Sequence, residues 1–325
     1  MEALIIGDGG SANIHYANGP FSASDHTYIL RPKDTATVLP KYVYDLILPN
    51  LHLIEDGFQG AGLKNVSKKH LLSIQVPLPP LDVQREIMGE IEGYEKVINS
   101  AHAVVDNYRP HIPIHPGWPM VELGEATKVT SGFSFSSKDF SRANPVKSIK
   151  IANVGVQEFV SDDESNLPAE FLEKYSDVVV HRGDLVIALT RSIISTGLKI
   201  AIVPANYDGS LLNQRVASIR AKEGHSDAKF VFFMLCSEFA YRYVEEKARS
   251  LMQPNLSIVD LKQLNIPLPP LATQQAIVAE IEAEQALVAA NRELITRFEK
   301  KIQATLARVW GENTADPAEA VALKK

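Results

Sequence analysis

The run "HIPIH" at His111–His115 sets two imidazoles four residues apart, a spacing that would suit a metal on a helix. Pro110, Pro113 and Pro116 interleave it and forbid that helix, so the pair does not point to a metal. "GDGGS" at Gly7–Ser11 could imitate an anion nest, but no helix signal follows it and it reads as a strand turn. Asp162, Asp163 and Glu164 read as a solvated loop. Cys236, the lone cysteine, falls on an apolar helical run and reads as a small buried hydrophobe. No G-x-x-x-x-G-K-[ST] phosphate loop is present, and no G-x-G-x-x-G follows a strand. The only Pro-Pro pairs, Pro79-Pro80 and Pro269-Pro270, are each preceded by leucine, unlike the Asn/Asp-Pro-Pro-aromatic element of an amino-methyltransferase. Chemistry of this sparseness points to recognition or scaffolding.

What the chain does carry is a repeat. "VPLPPLDVQREIMGEIE" at Val76–Glu92 returns as "IPLPPLATQQAIVAEIE" at Ile266–Glu282, 190 residues later. Over Lys64–Tyr108 and Pro254–Phe298 the two copies share 13 identities, among them PLPPL, Gln84/Gln274 and Glu90-Ile91-Glu92/Glu280-Ile281-Glu282. After each PLPP the apolar residues step by four and three. Ile87, Ile91, Tyr94, Ile98, Ala101, Val105 and Tyr108 form one seam; Ile277, Ile281, Glu284, Val288, Asn291, Ile295, Phe298, Ile302, Thr305 and Val309 form the other. Such heptad seams want a partner helix, and a seam Asn commonly fixes register. Two homologous seams in one chain predict that the helices pair with each other.

Between them, Trp118–Asn265 reads as a mixed, strand-rich domain. Asp177–Leu189 and Leu198–Gly209 are β-branched runs broken by Gly and Asp, which suggests strand, turn, strand, and Ala228–Ala248 reads as one amphipathic helix. Met1–Gln75 matches only the later part of that domain. "LIIGDGG" stands where "LVIALTR" stands in the second copy, and "PKYVYDLIL" mirrors "AKFVFFMLC". The first domain is therefore expected to be shortened by about 70 residues relative to the second.

The 325 residues are enough for two or three domains, and 45% hydrophobic with 22% charged residues is ordinary for a globular protein. One cysteine permits no disulfide framework, and an intracellular, cytoplasmic setting is expected. No eighteen-residue apolar stretch or basic leader is found, so no membrane partner is expected. The net charge of −6 argues against a nonspecific polyanion binder. Asp82–Tyr108 alone holds six acids against two bases. A protein that reads sequence can tolerate this if its bases converge on one groove.

The twice-occurring "IPLPPLxxQxxIVxxIE" element, preceded by "NLS…L", resembles the specificity (S) subunit of type I restriction–modification systems. "GWPMVELGEATKVTSGFSFSSKDF" at Gly117–Phe140 is similar to the family's Trp-x-x-x-x-Leu-Gly strand and Ser-Gly-Phe-x-Phe element, and "IKIANVGVQEF", "GDLVIALTR" and "QPNLSIVDLKQLNIPLPP" follow in order. The resemblance covers almost the whole chain. It implies an α+β fold of two target recognition domains, each followed by a long helix, with the helices pairing as an antiparallel coiled coil. The implied organisation is a partial first recognition domain over residues 1–75, a spacer helix over 76–110, a second recognition domain over 111–265, a second spacer helix over 266–311 and a disordered tail over 312–325.

The resemblance also implies a function: a non-catalytic subunit that reads a bipartite double-stranded DNA site and docks methyltransferase (M) and restriction/translocase (R) subunits. S-adenosylmethionine, ATP and magnesium would reside on those partners, with no cofactor in this chain. By position in the family pattern, DNA contact is expected from Phe133, Ser134, Ser136 and Lys138, from Thr190, Arg191 and Ser192, and from Asn213, Gln214 and Arg215. Ser24, Asp25 and His26 correspond loosely to the last three. Three other readings stay open: a coiled-coil adaptor with no DNA role, an inactive truncated remnant, and the specificity part of a split restriction–methylation enzyme.

Overall fold

The computed structural model describes residues 2–62, 64–162, 166–194, 197–249 and 255–311. The expected disordered tail over 312–325 lies outside the described residues, as do Asp163 and Glu164. The chain forms two compact units, one of residues 1–108 with 287–325 and one of residues 109–286. The α+β class that the resemblance implied holds in both.

The first unit contains β1 (Glu2–Gly7), β2 (Ile14–Asn18), β3 (Thr27–Leu30), α1 (Pro40–Ile47), α2 (His52–Glu55), β4 (Phe58–Gln59), β5 (Asn65–Val66), α3 (Lys68–Ser73) and α4 (Leu81–Asn107). Its antiparallel sheet has the order β2-β1-β3. Leu4, Ile6 and Ile14 on one face of that sheet pack with Ile47, Ile54, Val66 and Leu71.

The second unit begins with β6 (Met120–Glu122), α5 (Leu123–Ala126), β7 (Thr127–Ser131), β8 (Val146–Ile149), β9 (Asn166–Leu167), α6 (Phe171–Lys174), β10 (Val179–Val180) and β11 (Leu185–Ala188). It continues with β12 (Ile193–Ile194), β13 (Gly197–Leu198), β14 (Ile200–Ile202), β15 (Ser210–Leu212), β16 (Val216–Ala221), α7 (Ala228–Leu235), α8 (Glu238–Arg249), α9 (Ile258–Gln263) and β17 (Asn265–Pro267). Finally α10 (Leu271–Trp310) supplies residues to both units. Two four-stranded sheets, β14-β11-β16-β7 and β10-β15-β8-β9, make its core. All of Leu185–Ala188 is buried, because alternate residues face different layers. Leu185 and Ile187 pack with Phe230, Met234 and Ile281, whereas Val186 and Ala188 pack with Ile149, Val180 and Leu212.

The strand–turn–strand expected over Asp177–Leu189 is found, but β10 and β11 join different sheets. The single helix expected over Ala228–Ala248 is two, α7 and α8, separated at Cys236 and Ser237. Ser237 Oγ donates to the Met234 carbonyl at 2.6 Å and takes the Ala240 amide at 3.5 Å, so one side chain closes the first helix and caps the next. Cys236 is half-buried, and burial pushes its thiol up to about 12.

Both long helices start at the leucine after PLPP and run 27 and 40 residues, roughly 40 and 60 Å at 1.5 Å per residue. Inside the first unit α4 and the later part of α10 lie antiparallel. Tyr94 meets Phe298 with ring centroids 5.4 Å apart, and Glu90 accepts from Thr305 at 3.0 Å and from Arg308 at 2.8 Å. Ile87, Ile91 and Leu306 are buried there with Tyr42 and Leu46 of α1. Of the polar seam positions, Thr305 is buried in the pairing, Asn291 turns its amide back to the Leu287 carbonyl at 2.9 Å, and Glu284 is exposed. Register therefore rests on Thr305 and Glu90, not on the asparagine.

Each helix start is fastened by a fully buried glutamine. Gln84 Nε2 donates to the carbonyls of Pro79 and Thr37 at 2.8 Å each, and its Oε1 accepts the Leu39 amide at 3.0 Å. Gln274 does the same with the carbonyls of Pro269 at 2.8 Å and His225 at 3.1 Å and the Asp227 amide at 2.8 Å. Three partners would be orphaned without it, each worth about 1 kcal/mol. Gln274→Ala is expected to destabilise the second unit by about 2–4 kcal/mol, and Gln84→Ala the first by a similar amount, measured by urea unfolding.

Asp45 of α1 is a second buried polar group, paired with Lys41 while its Oδ2 has no partner among the described residues. Burial, opposed by Lys41 and reinforced by Glu95 and Glu92 of α4, pushes its carboxyl up to about 6. A raised acid favours folding when protonated. Its contribution is complete below the unfolded value of 3.8 and is lost as pH rises through about 6. Asp45→Asn should therefore gain about 2–3 kcal/mol over the native chain at pH 8 and little at pH 4, by urea unfolding at both pH values.

Candidate nucleic-acid interface

The three segments expected to contact DNA emerge at one end of the sheet β14-β11-β16-β7. Ala188 at the end of β11 pairs with Val216 at the start of β16, and Ser131 at the end of β7 pairs with Ala217. The loops that follow β7 and β11 and the turn that precedes β16 must therefore leave the sheet together. Hydrogen bonds stitch them: Phe133 N to the Leu212 carbonyl at 2.9 Å, Gly132 N to Val216 O at 3.0 Å, Leu189 N to Arg215 O at 2.9 Å and Asn213 N to Ile149 O at 2.9 Å. Gly132 makes this approach possible, since a Cβ there would lie 2.0 Å from the Asn213 carbonyl oxygen.

The individual side chains differ in how they are presented. Gln214 and Arg215 are exposed in the three-residue connection between β15 and β16, with Asn213 half-buried beside them. Arg191 is exposed and holds a left-handed backbone at φ 50°, which an ordinary residue adopts at a cost of about 1–3 kcal/mol. Among the described residues Arg191, Arg215 and Lys138 make no ion pair, whereas Arg220 is held by Asp184 at 2.8 and 2.6 Å. Thr190 is half-buried and bridges to Asn255. Ser192 is fully buried, its Oγ without a hydrogen-bond partner among the described residues. It faces the interior and presents nothing to a ligand at the surface.

Ser134 and Ser136 are exposed, but Ser136 is also a local cap: its Oγ accepts the Lys138 amide at 3.4 Å while Asp139 accepts the Ser136 amide at 3.1 Å. Phe133 is 42% exposed and rests on Tyr175, 4.4 Å between centroids. Beneath it Phe135, Phe171 and Tyr175 form an aromatic cluster, with the Lys174 ammonium 5.2 Å from the Tyr175 ring. Sequence reasoning missed this support because Phe171 and Tyr175 stand on α6 and the turn after it, far from the Ser-Gly-Phe element in the chain.

The first unit repeats the arrangement. Asp8 N donates to His26 O at 3.0 Å as Leu189 N does to Arg215 O, and Gly9 bridges Asn65 as Thr190 bridges Asn255. These bonds set the register that matches Ser24, Asp25 and His26 to Asn213, Gln214 and Arg215. His26 Nδ1 lies 3.5 Å from Asp8. Gly10, at φ 86°, takes the place of Arg191.

Residues 2–103 and 116–299 match the family model described as the type I restriction modification DNA specificity domain. The chain belongs to this family. The type I restriction enzyme MjaVIII specificity subunit of Methanocaldococcus jannaschii is 29% identical over 271 residues, covering 75% of this chain and 64% of its own length. The EcoAI specificity subunit of Escherichia coli is 26% identical over 191 residues, covering 59% of this chain and 32% of its own length. The chain thus spans less than two thirds of these curated relatives. A solved structure of a type I R-M system covers 95% of this chain and 82% of its own with a TM-score of 0.57 at 18% identity. The type I restriction–modification S subunit from M. genitalium covers 94% of this chain and 82% of its own at 0.53 and 12%. Both agree with the α+β specificity-subunit fold.

Among the described residues no helix is long and apolar enough to cross a membrane, and no three His, Cys, Asp or Glu side chains stand together as a metal site.

Because the Gly132–Asn213 approach holds two of the loops together, Gly132→Ala should cost about 1–3 kcal/mol in thermal or urea unfolding. Arg191→Gly should instead stabilise by about 1 kcal/mol, by relief of its left-handed backbone.

Proposed function

We propose that the protein is a DNA sequence-recognition subunit of a type I restriction–modification complex, without catalytic activity of its own and acting in the cytoplasm. The observation that carries this reading is the convergence of loops 132–138, 189–192 and 213–215 on one sheet end, where Arg191, Arg215 and Lys138 are free of carboxylates. Guanidinium and amide groups are the side chains that read base edges in a major groove, while lysines position the phosphates. A chain of net charge −6 that concentrates unpaired bases in one place is suited to a selective polyanion contact.

Two copies of the motif support a bipartite site, with one sheet end for each half. Methyltransferase and restriction/translocase subunits would dock on this chain and bring S-adenosylmethionine, ATP and magnesium. Gln214 and Arg191 are the strongest candidates for base contact, since both are exposed, and Phe133 offers an exposed apolar surface for a thymine methyl or a base face. Ser192 is not proposed to touch DNA without rearrangement of its loop.

Footprinting with the methyltransferase subunit present is expected to show a two-part protected sequence; an adaptor without a DNA role would leave none. Arg191→Ala or Gln214→Ala should weaken binding to the cognate site by about 1–3 kcal/mol and spare nonspecific DNA. Lys138→Ala should instead weaken binding to all sequences alike and lower the salt dependence. The purified chain alone, given labelled S-adenosylmethionine and DNA, should transfer no methyl group.

A further inference from the structure

Of the aromatic side chains among the described residues only Phe133 and Phe239 are exposed, and Phe133 alone stands on the loops that gather at the sheet end. Its surroundings hold it there from two directions. The backbone is fixed, since Gly132 N donates to Val216 O at 3.0 Å and Phe133 N to Leu212 O at 2.9 Å, with a bridge to Asn213. The ring is fixed as well. Its centroid lies 4.4 Å from that of Tyr175 and 5.3 Å from that of the buried Phe135.

The base under that ring is itself part of the core. Phe135 meets Phe171 at 5.9 Å and Tyr175 at 5.2 Å, and it packs with Val146, Leu167 and Leu211 of the sheet β10-β15-β8-β9. The Lys174 ammonium lies 5.8 and 5.2 Å from the Phe171 and Tyr175 rings and holds them further. A ring on such a base cannot fold aside. Contact with a thymine methyl needs only an apolar atom at the surface, which a movable side chain supplies. A ring fixed at its backbone and its underside meets a closing duplex as a wedge, and apolar wedges enter between base pairs, unstack the step and kink the duplex.

We propose that Phe133 is a wedge that opens one base step in the half-site bound by the second unit, so that the protein deforms its DNA as well as reading it. This rests on the DNA-recognition function proposed for the same loops. The step is expected to be TA or CA/TG, because pyrimidine–purine steps unstack most readily. Selectivity at that step then comes from the deformability of the DNA and not from a base-edge contact. An opened step also suits a methyltransferase partner, which cannot reach its target atom inside the stack.

Permanganate, which oxidises thymines that have lost their stacking, is the probe, applied to the footprinted duplex with the full chain and the methyltransferase subunit bound. The native complex is expected to show hyperreactive thymine at one step. Phe133→Ala should lower that reactivity by about fivefold or more at saturating protein, and Phe133→Leu should retain it, since leucine also enters between base pairs. Both variants should keep the protected sequence, because the side chains that read bases are untouched. Exchanging uracil for thymine at the step removes only a methyl and should leave affinity within about twofold. Thymines no more reactive than in free DNA, within an intact footprint, overturn the wedge and leave DNA reading standing. Hyperreactivity that survives Phe133→Ala overturns it too, because another group then opens the step. So does a loss of affinity on uracil exchange that disappears in Phe133→Ala, which assigns the ring to the thymine methyl. Absence of any protected sequence removes the DNA-recognition function and the wedge with it.

Discussion

A buried amide at the start of each long helix is the constraint on which the rest of the structure depends. The PLPP run cannot supply donors at its prolines, and a helix that begins after it leaves carbonyls behind with no helical partner. Gln84 and Gln274 collect those carbonyls and, with the same side chain, hold the segment that leads into α1 or α7. One residue thus couples three pieces of chain: the proline run, the start of the rod and the approach to α1 or α7. Proline supplies stiffness to the joint, but glutamine sets its geometry, and its burial makes the geometry hard to relax.

The sheet that precedes each joint in the chain keeps one register in both units. β1 and β11 sit between the same neighbours with the same pairing, so the loops at their ends occupy equivalent places even where no residue is shared. This is the arrangement by which a frame can be kept while its readout changes. At the left-handed position the first copy has Gly10, the residue that adopts that backbone freely, and the second has Arg191, which does not. The frame holds an arginine in a conformation it would not choose, and that arginine is exposed at the loop cluster. Strain of this kind persists where the surroundings over-determine the backbone, which the bonds from Leu189 to Arg215 and from Leu256 to Leu189 do.

Much of this was legible in the sequence because a repeat compares the chain with itself. The identity of Gln84 with Gln274 was visible, and so were both seams and the strand–turn–strand; the three loops were named by the family pattern, but their convergence on one sheet end was not. What was not legible depends on tertiary partners. Ser192 stands next to Arg191 in sequence, and nothing local says that one points inward and the other out. The helix break at Cys236 rests on a serine that serves two turns at once. The assignment of β10 and β11 to different sheets, and the aromatic support beneath Phe133, depend on pairings between segments distant in the chain.

The pairing of the rods shows the same limit from another side. Heptad reasoning identifies polar seam positions but not which of them meets a partner. Asn291 is the residue that rule selects, yet its amide is satisfied within its own helix turn. Glu90 is the one that crosses, taking Thr305 and Arg308 of α10 while Tyr94 of its own helix also donates to it. Burial works against its charge, and those three donors outweigh it, leaving its carboxyl below the usual range. A one-turn slip of α10 would strip the half-buried Glu90 carboxylate of Thr305 and Arg308 and leave it Tyr94 of its own helix alone, while the apolar seam residues would find similar neighbours in the slipped register. The apolar seam therefore makes the helices associate, and the Glu90 carboxylate with its Thr305 and Arg308 partners selects one alignment.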